Sequence, residues 1–224
     1  MWPSDAASLV ALQWELSEAG SQPWAPGPRP RPLVAGGCWV CFPRGLTGPG
    51  AEGDPAWCAA VVVAGRDVLA QRVTLGEAGA TYVPGLLALR AGPLMEQAVR
   101  ALPTLPEVLL VDATGRDHPR GAGLAIHLGA QLGLPTVGVT HRPLLAAGEW
   151  PADRRGATSP LTLDGVTVAS WMRTRAGVRP LVVHPGWRTD LAAALEVVAR
   201  TTARHRTPEP LRRARRLARR ARSA

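Results

Sequence analysis

Apolar positions recur along this chain with two different periods, and the periods predict its elements. Leu9, Leu12 and Leu16 share one helical face within Ala6 to Ala19, with Ser4 or Asp5 placed to cap the first turn. A Pro-rich arm over 21–32 then reads as extended linker. Three β-forming runs follow: Leu33 to Phe42, Trp57 to Val63 and Val68 to Leu75. Between the first two, the Gly- and Pro-rich stretch 43–55 reads as a mobile loop. Ala80 to Gly85 has neither period and is expected to be irregular. Leu86 to Leu102 predicts a helix, Glu107 to Asp112 a fourth strand, and Gly121 to Leu132 a helix closed by Gly133 and Pro135. Thr136 to Thr140 is a fifth strand. Val166 to Thr174 and Arg179 to His184 read as a late strand pair, Asp190 to Arg204 as an amphipathic helix, and Pro208 to Ala224 as an Arg-dense helix. Three antiparallel-type strands, a helix and then strand–helix–strand predict an α/β fold: a ribonuclease H-like mixed sheet with flanking helices.

Composition narrows the class. At 224 residues and 46% hydrophobic, the chain supports one main core. We divide it into an N-terminal helix and arm (1–32), a central fold (33–207) and a basic C-terminal helix (208–224). All 26 basic residues are arginine and the net charge is +9, which points to a polyanionic partner. The C-terminal arginines read either as a solvated surface or as a grip on phosphate with strong salt dependence. Cys38, Cys41 and Cys58 are too few for a disulfide framework and read as buried thiols. No signal-peptide pattern and no membrane-length apolar run is present, so the expectation is a cytoplasmic monomer with no membrane partner.

The chemistry concentrates in one stretch. Val108 to Val111 deliver Asp112 to a strand end, and a Gly-containing turn then presents His118 before a small-residue helix. Such strand ends are where α/β folds place metals and phosphates.

At these residues the chain resembles the endonuclease V family, which cuts DNA, and in some members RNA, near deaminated purines. Leu33 to Phe42 is similar to the family's V-A-G-V-D-V-S-Y, and Tyr82 to Pro93 to Y-I-P-G-F-L-S-F-R-E-G-P. Leu110 to Gly129 resembles V-D-G-x-G-I-A-H-P-R-x-x-G-L-A-x-H-L-G. Leu134 to Leu144 resembles L-P-T-I-G-V-A-K-S-x-L, and Arg179 to Thr189 resembles P-L-Y-V-S-P-G-H-R. The resemblance implies a magnesium- or manganese-dependent nuclease in which metal-activated water attacks a phosphodiester. It implies catalytic roles for Asp112, His118 and His141, with Asp112 as a metal ligand. It also implies a strand-separating wedge at Tyr82, Val83, Pro84 and Gly85. A pocket for the flipped base is implied around Gly85, Leu87, Ala113, Gly115, Gly138 and Thr140.

The departures fall on the charged groups. Cys38 stands where the family's first metal aspartate would be, and Ala91 where its glutamate would be. His141 replaces a lysine, and Trp187 replaces a histidine and is expected to fill space left by the missing metal. Magnesium takes hard oxygen ligands, and two ions need more negative charge than one carboxylate carries. The expectation is a family member that engages inosine-containing DNA or RNA while cleavage is weak or lost. Two alternatives stay open: a nucleic-acid-binding pseudoenzyme, and a nuclease with a relocated metal site around Asp112, Asp117 and His118. A soft-metal set of Cys38, Asp112, His118 and His141 is a further candidate. The glycines are also open to a bland reading as turn and packing residues.

Overall fold

The computed structural model describes every residue except Ser21, Leu46 and Thr47, so parts of the arm and of the loop 43–55 lie outside the described residues. The strands are β1 (Val34–Cys41), β2 (Pro55–Ala64), β3 (Asp67–Glu77), β4 (Val108–Val111), β5 (Thr136–Thr140), β6 (Thr158–Leu163), β7 (Val166–Met172) and β8 (Leu181–Pro185). The helices are α1 (Ala6–Glu18), α2 (Leu87–Arg100), α3 (Leu124–Leu132), α4 (Leu191–Thr201) and α5 (Glu209–Ser223). Among the described residues the strands form one eight-stranded sheet in the order β3-β2-β1-β4-β5-β8-β7-β6. β1, β2 and β3 make an antiparallel meander, and β4 and β5 add in parallel beside β1. This is the ribonuclease H-like arrangement that the element order predicts.

The centre of the sheet explains its sequence. β4 is buried at all four positions and reads as a continuous apolar run. Leu109 and Val111 face the core beneath α2 and α3, while Val108 and Leu110 face the opposite core beneath α4 and α5. α5 lies close on β1, where a Cβ on Gly37 would come within 2.3 Å of the Pro210 carbonyl carbon. Asp5 caps α1 by accepting the Ser8 N–H at 2.8 Å.

Two expectations change. β6 is an additional strand: it pairs with β7 across an Asp164-Gly165 turn in which both residues have positive φ (51° and 78°). Asp-Gly is the type I′ hairpin signal, but Pro160 breaks the strand pattern of the run before it. β6 sits at the sheet edge, where a proline removes no needed ladder bond. α3 begins at Leu124, three residues later than the periodicity predicts, because Gly121 (φ 65°) is spent in the preceding turn. Among the described residues no helix is long and apolar enough to cross a membrane.

Candidate functional site

The parallel strands end side by side, and β4 hands Asp112 to that rim. Asp112 lies between two clefts. A cleft of about 180 Å³ opens on its Tyr82 side, with Gln13, Leu87, Thr114, His118 and Thr140 in its walls. A narrow one of about 20 Å³ holds Trp39, His141, Leu181 and Arg215 on the other. The structure therefore brings Asp112 next to both predicted histidines, which occupy different clefts.

A single carbonyl organises the larger cleft. Gly85 has φ +81°, a backbone that favours glycine, and this turns its C=O inward. That oxygen accepts from His118 Nε2 at 3.0 Å, Arg120 Nη2 at 2.9 Å and Gln13 Nε2 at 3.1 Å. Arg120 Nε also donates to Gln13 Oε1 at 2.6 Å, which ties α1 to the site. His118 Nδ1 accepts the Arg120 N–H at 3.3 Å, so both ring nitrogens are engaged and the proton is assigned to Nε2. Burial lowers the His118 pKa to about 4, so the ring is neutral at pH 7. Tyr82 and Val83 stand at the cleft mouth with 43% and 44% of their surface exposed. Beneath them, Arg90 holds the irregular segment by donating to the Ala80 and Ala51 carbonyls and pairing with Asp54 at 2.9 Å. Gly115 and Gly138 do not line the cleft; they pack against the Pro185 and Ala113 carbonyls, where a Cβ would approach within 2.0 and 2.4 Å.

The acid side is differently built. Asp112 Oδ2 accepts from Trp39 Nε1 at 2.6 Å. One edge of Asp112 is open to solvent, but the protein packed around the rest pushes its carboxyl above the usual carboxylate range. The Trp39 hydrogen bond and the charges of His141 and Arg215 oppose that rise. His141 Nδ1 accepts from Arg206 Nη1 at 2.9 Å; burial, and then the nearby arginines, lower its pKa. Cys38 on β1 and Ala91 on α2 both lie within the core between sheet and helix, with Cys38 Sγ 3.6 Å from Cys58 Sγ.

Magnesium and manganese need converging oxygen donors, and the residues present do not supply them. Among the described residues no three His, Cys, Asp or Glu side chains converge to hold an ion. The soft set of Cys38, Asp112, His118 and His141 is not assembled, since Cys38 faces Cys58 and the Met95 carbonyl. Asp117 cannot stand in for a lost ligand either. Its fully buried carboxylate accepts the backbone N–H groups of Leu144, Leu145 and Ala146 at 2.7 to 2.9 Å. The donor set does not fit a two-ion cage.

Sequence reasoning missed three residues. Gln13 is a polar residue on the apolar face of α1, four positions after Leu9, and that misfit was its available signal. Trp39 faces Asp112 because it alternates with Cys38 on β1. His184, in the apolar run of β8, sits buried behind the cleft with Nε2 2.9 Å from Thr140 Oγ1. Trp187 is a correction. It meets Thr136 and Gly129 at the start of β5, about 13 Å of strand away from Thr140, and so does not fill space beside Asp112.

Fold and rim together define a ribonuclease H-like protein with its candidate site at the strand ends. The family model of endonuclease V matches residues 47–216, beginning downstream of β1 and Cys38. Endonuclease V of Streptomyces avermitilis is 38% identical over 222 residues, covering 98% of this chain and 93% of that protein. A crystal structure of endonuclease V from the same organism superposes with a TM-score of 0.86 at 37% identity, covering 98% of this chain and 94% of that one. A Ciona intestinalis endonuclease V, solved with a DNA containing inosine, shares the fold (TM-score 0.80, 21% identity, 97% and 96% covered). This chain belongs to the endonuclease V family, whose members are in general divalent-metal dependent.

Proposed function

We propose that this chain binds a DNA or RNA strand carrying a deaminated purine, seats the base in the cleft beside Tyr82, and cleaves the strand slowly or not at all. The observation that carries the reading is the contrast within the site: three side chains converge on the Gly85 carbonyl in the cleft wall, while the positions that the resemblance gives to two of three acids hold Cys38 and Ala91 in an apolar core. The Ciona relative's inosine-containing DNA supports inosine as the base to test.

In this reading each residue has a positional task. Tyr82 and Val83 prise the strand open, since an exposed aromatic or apolar side chain can insert at a base step. Neutral His118 fixes the Gly85 turn that shapes the cleft, with Gln13 and Arg120. Thr140 and Asp112 offer polar atoms to the base edge or the adjoining sugar-phosphate. Losing a group that stabilises the transition state costs about 2–4 kcal/mol, so two missing acids remove several decades of rate.

The test is one assay with two readouts. Inosine-containing and matched adenosine-containing single and double strands are incubated with magnesium or manganese, and both binding and cleavage are measured. The expected result is preferential binding of inosine with little or no cleavage. Robust cleavage abolished by Asp112→Ala would show an active nuclease instead. Equal binding of inosine and adenosine strands would remove the base-pocket reading.

A further inference from the structure

Positive charge is crowded beyond Asp112 and is not balanced there. An open groove of about 520 Å³ runs along α5, lined by six arginines, five of them from α5 itself, together with His205 and Ser223. No carboxylate and no apolar side chain is among the described lining residues. The acid of α5, Glu209, is committed to Arg212 and Arg213 at 2.6 and 3.0 Å. Arg215, Arg216, Arg219 and Arg220 have no carboxylate partner among the described residues. Nearby Arg206 feels the crowding: burial first, and then the charges of Arg179 and Arg215, pull it below its ordinary pKa.

The groove is a fixed platform. The apolar face of α5 (Ala214, Leu217, Ala218) packs on Cys41, Ala59, Val61 and Val63 of the sheet. Arg222 donates to the Phe42 carbonyl at 3.0 Å, and the Arg219 guanidinium lies 5.2 Å over the Trp39 ring. From Arg212 to Arg220 the helix advances ~12 Å, about three phosphates of a stacked strand. The groove is also continuous with the site. Arg215 lines both the groove and the narrow cleft of Asp112 and His141, and Asp112 in turn lines the Tyr82 cleft.

We propose that the α5 groove binds the sugar-phosphate backbone of the same strand whose base enters the Tyr82 cleft, the strand passing Asp112 and running onto Arg215, Arg216, Arg219 and Arg220. This path rests on the base-pocket reading above; the groove's affinity for nucleic acid does not. The guanidiniums supply at the acid-poor rim the positive charge that a phosphate needs. An anionic membrane is the poorer match, because surface-seeking helices place apolar side chains beside their charges and the groove has none among its described residues.

The experiment measures binding of labelled inosine- and adenosine-containing single strands across a salt series, for the wild type and for Arg216→Gln/Arg220→Gln. A control changes Arg72 and Arg100, away from the groove, to Gln. The expected result is that the groove variant binds both strands about tenfold more weakly at low salt, and that its log K against log salt slope is shallower by about 1.5. The inosine-to-adenosine ratio stays unchanged and the control stays near wild type. Arg216→Lys/Arg220→Lys restores most of the slope. Unchanged affinity and slope in a folded groove variant would overturn the proposal. So would a wild-type slope smaller than two phosphate contacts give, which needs no variant. Binding to phosphatidylserine vesicles without binding to oligonucleotides would assign the groove to a membrane instead. Loss of affinity in the groove variant with no inosine preference in the wild type would keep the groove and discard the base pocket.

Discussion

The two walls of the rim were built by different rules. On the Tyr82 side, Gly85, His118, Gln13 and Arg120 form a polar network centred on the Gly85 carbonyl. On the β1 side, Cys38 and Ala91 merge into the core, and Asp112 is left with an indole, a histidine and guanidiniums for company. Shape and charge are thus separable in this fold. A hydrogen-bonded wall keeps its form because an orphaned buried donor or acceptor costs about 1–3 kcal/mol. A cage of like-charged carboxylates is stable only with its cations, and small apolar residues in its place pack without that cost.

The sharpest way to break the contrast is to restore the acids. Cys38→Asp with Ala91→Glu puts two carboxylates into the core between β1 and α2. Without divalent metal we expect a lower melting temperature; with manganese we expect the melting temperature to recover and cleavage to rise by at least about tenfold, from the ~2–4 kcal/mol each group supplies. No recovery and no cleavage would show that more than two ligands separate this chain from its relatives. Arg90→Ala tests the opposite wall. Asp54 would lose its guanidinium partner and the segment before Tyr82 its anchor, so we expect a lower midpoint in urea unfolding.

Acid titration sharpens the comparison further. His118, His127 and His184 each have a pKa lowered to about 4, chiefly by burial. The unfolded chain binds protons near pH 6.5 and the folded one does not, so stability is full above that pH and falls as pH drops from about 6.5 to 4. His118→Gln should flatten part of that slope in pH-dependent melting. The smallest effect is expected from Tyr82→Ala: a loss of about tenfold in strand binding, the size of one stacking contact, with melting temperature unchanged.

Much of the fold was legible because its causes are local. The strand runs, the irregular Tyr82 to Gly85 segment, the α1 cap and the arrival of Asp112 at a strand end follow from residue types a few positions apart. β6 was missed because Pro160 masks its pattern, although the Asp164-Gly165 turn announced the hairpin. Asp117 was misjudged for another reason. Its position one residue before His118 suggests shared chemistry, yet successive side chains point apart, and its partners come from Leu144 to Ala146.

By itself, the sequence determined the layered α/β fold, the family, and the absence of acids at positions 38 and 91. Only the tertiary structure decided that Cys38 faces Cys58, that Asp112 faces Trp39, that Gln13 closes the cleft from α1, and that α5 lays its arginines beside Arg215 and Asp112. Local propensity and periodicity set which face of an element is apolar. Which polar groups meet across that face depends on packing between segments that lie far apart along the chain.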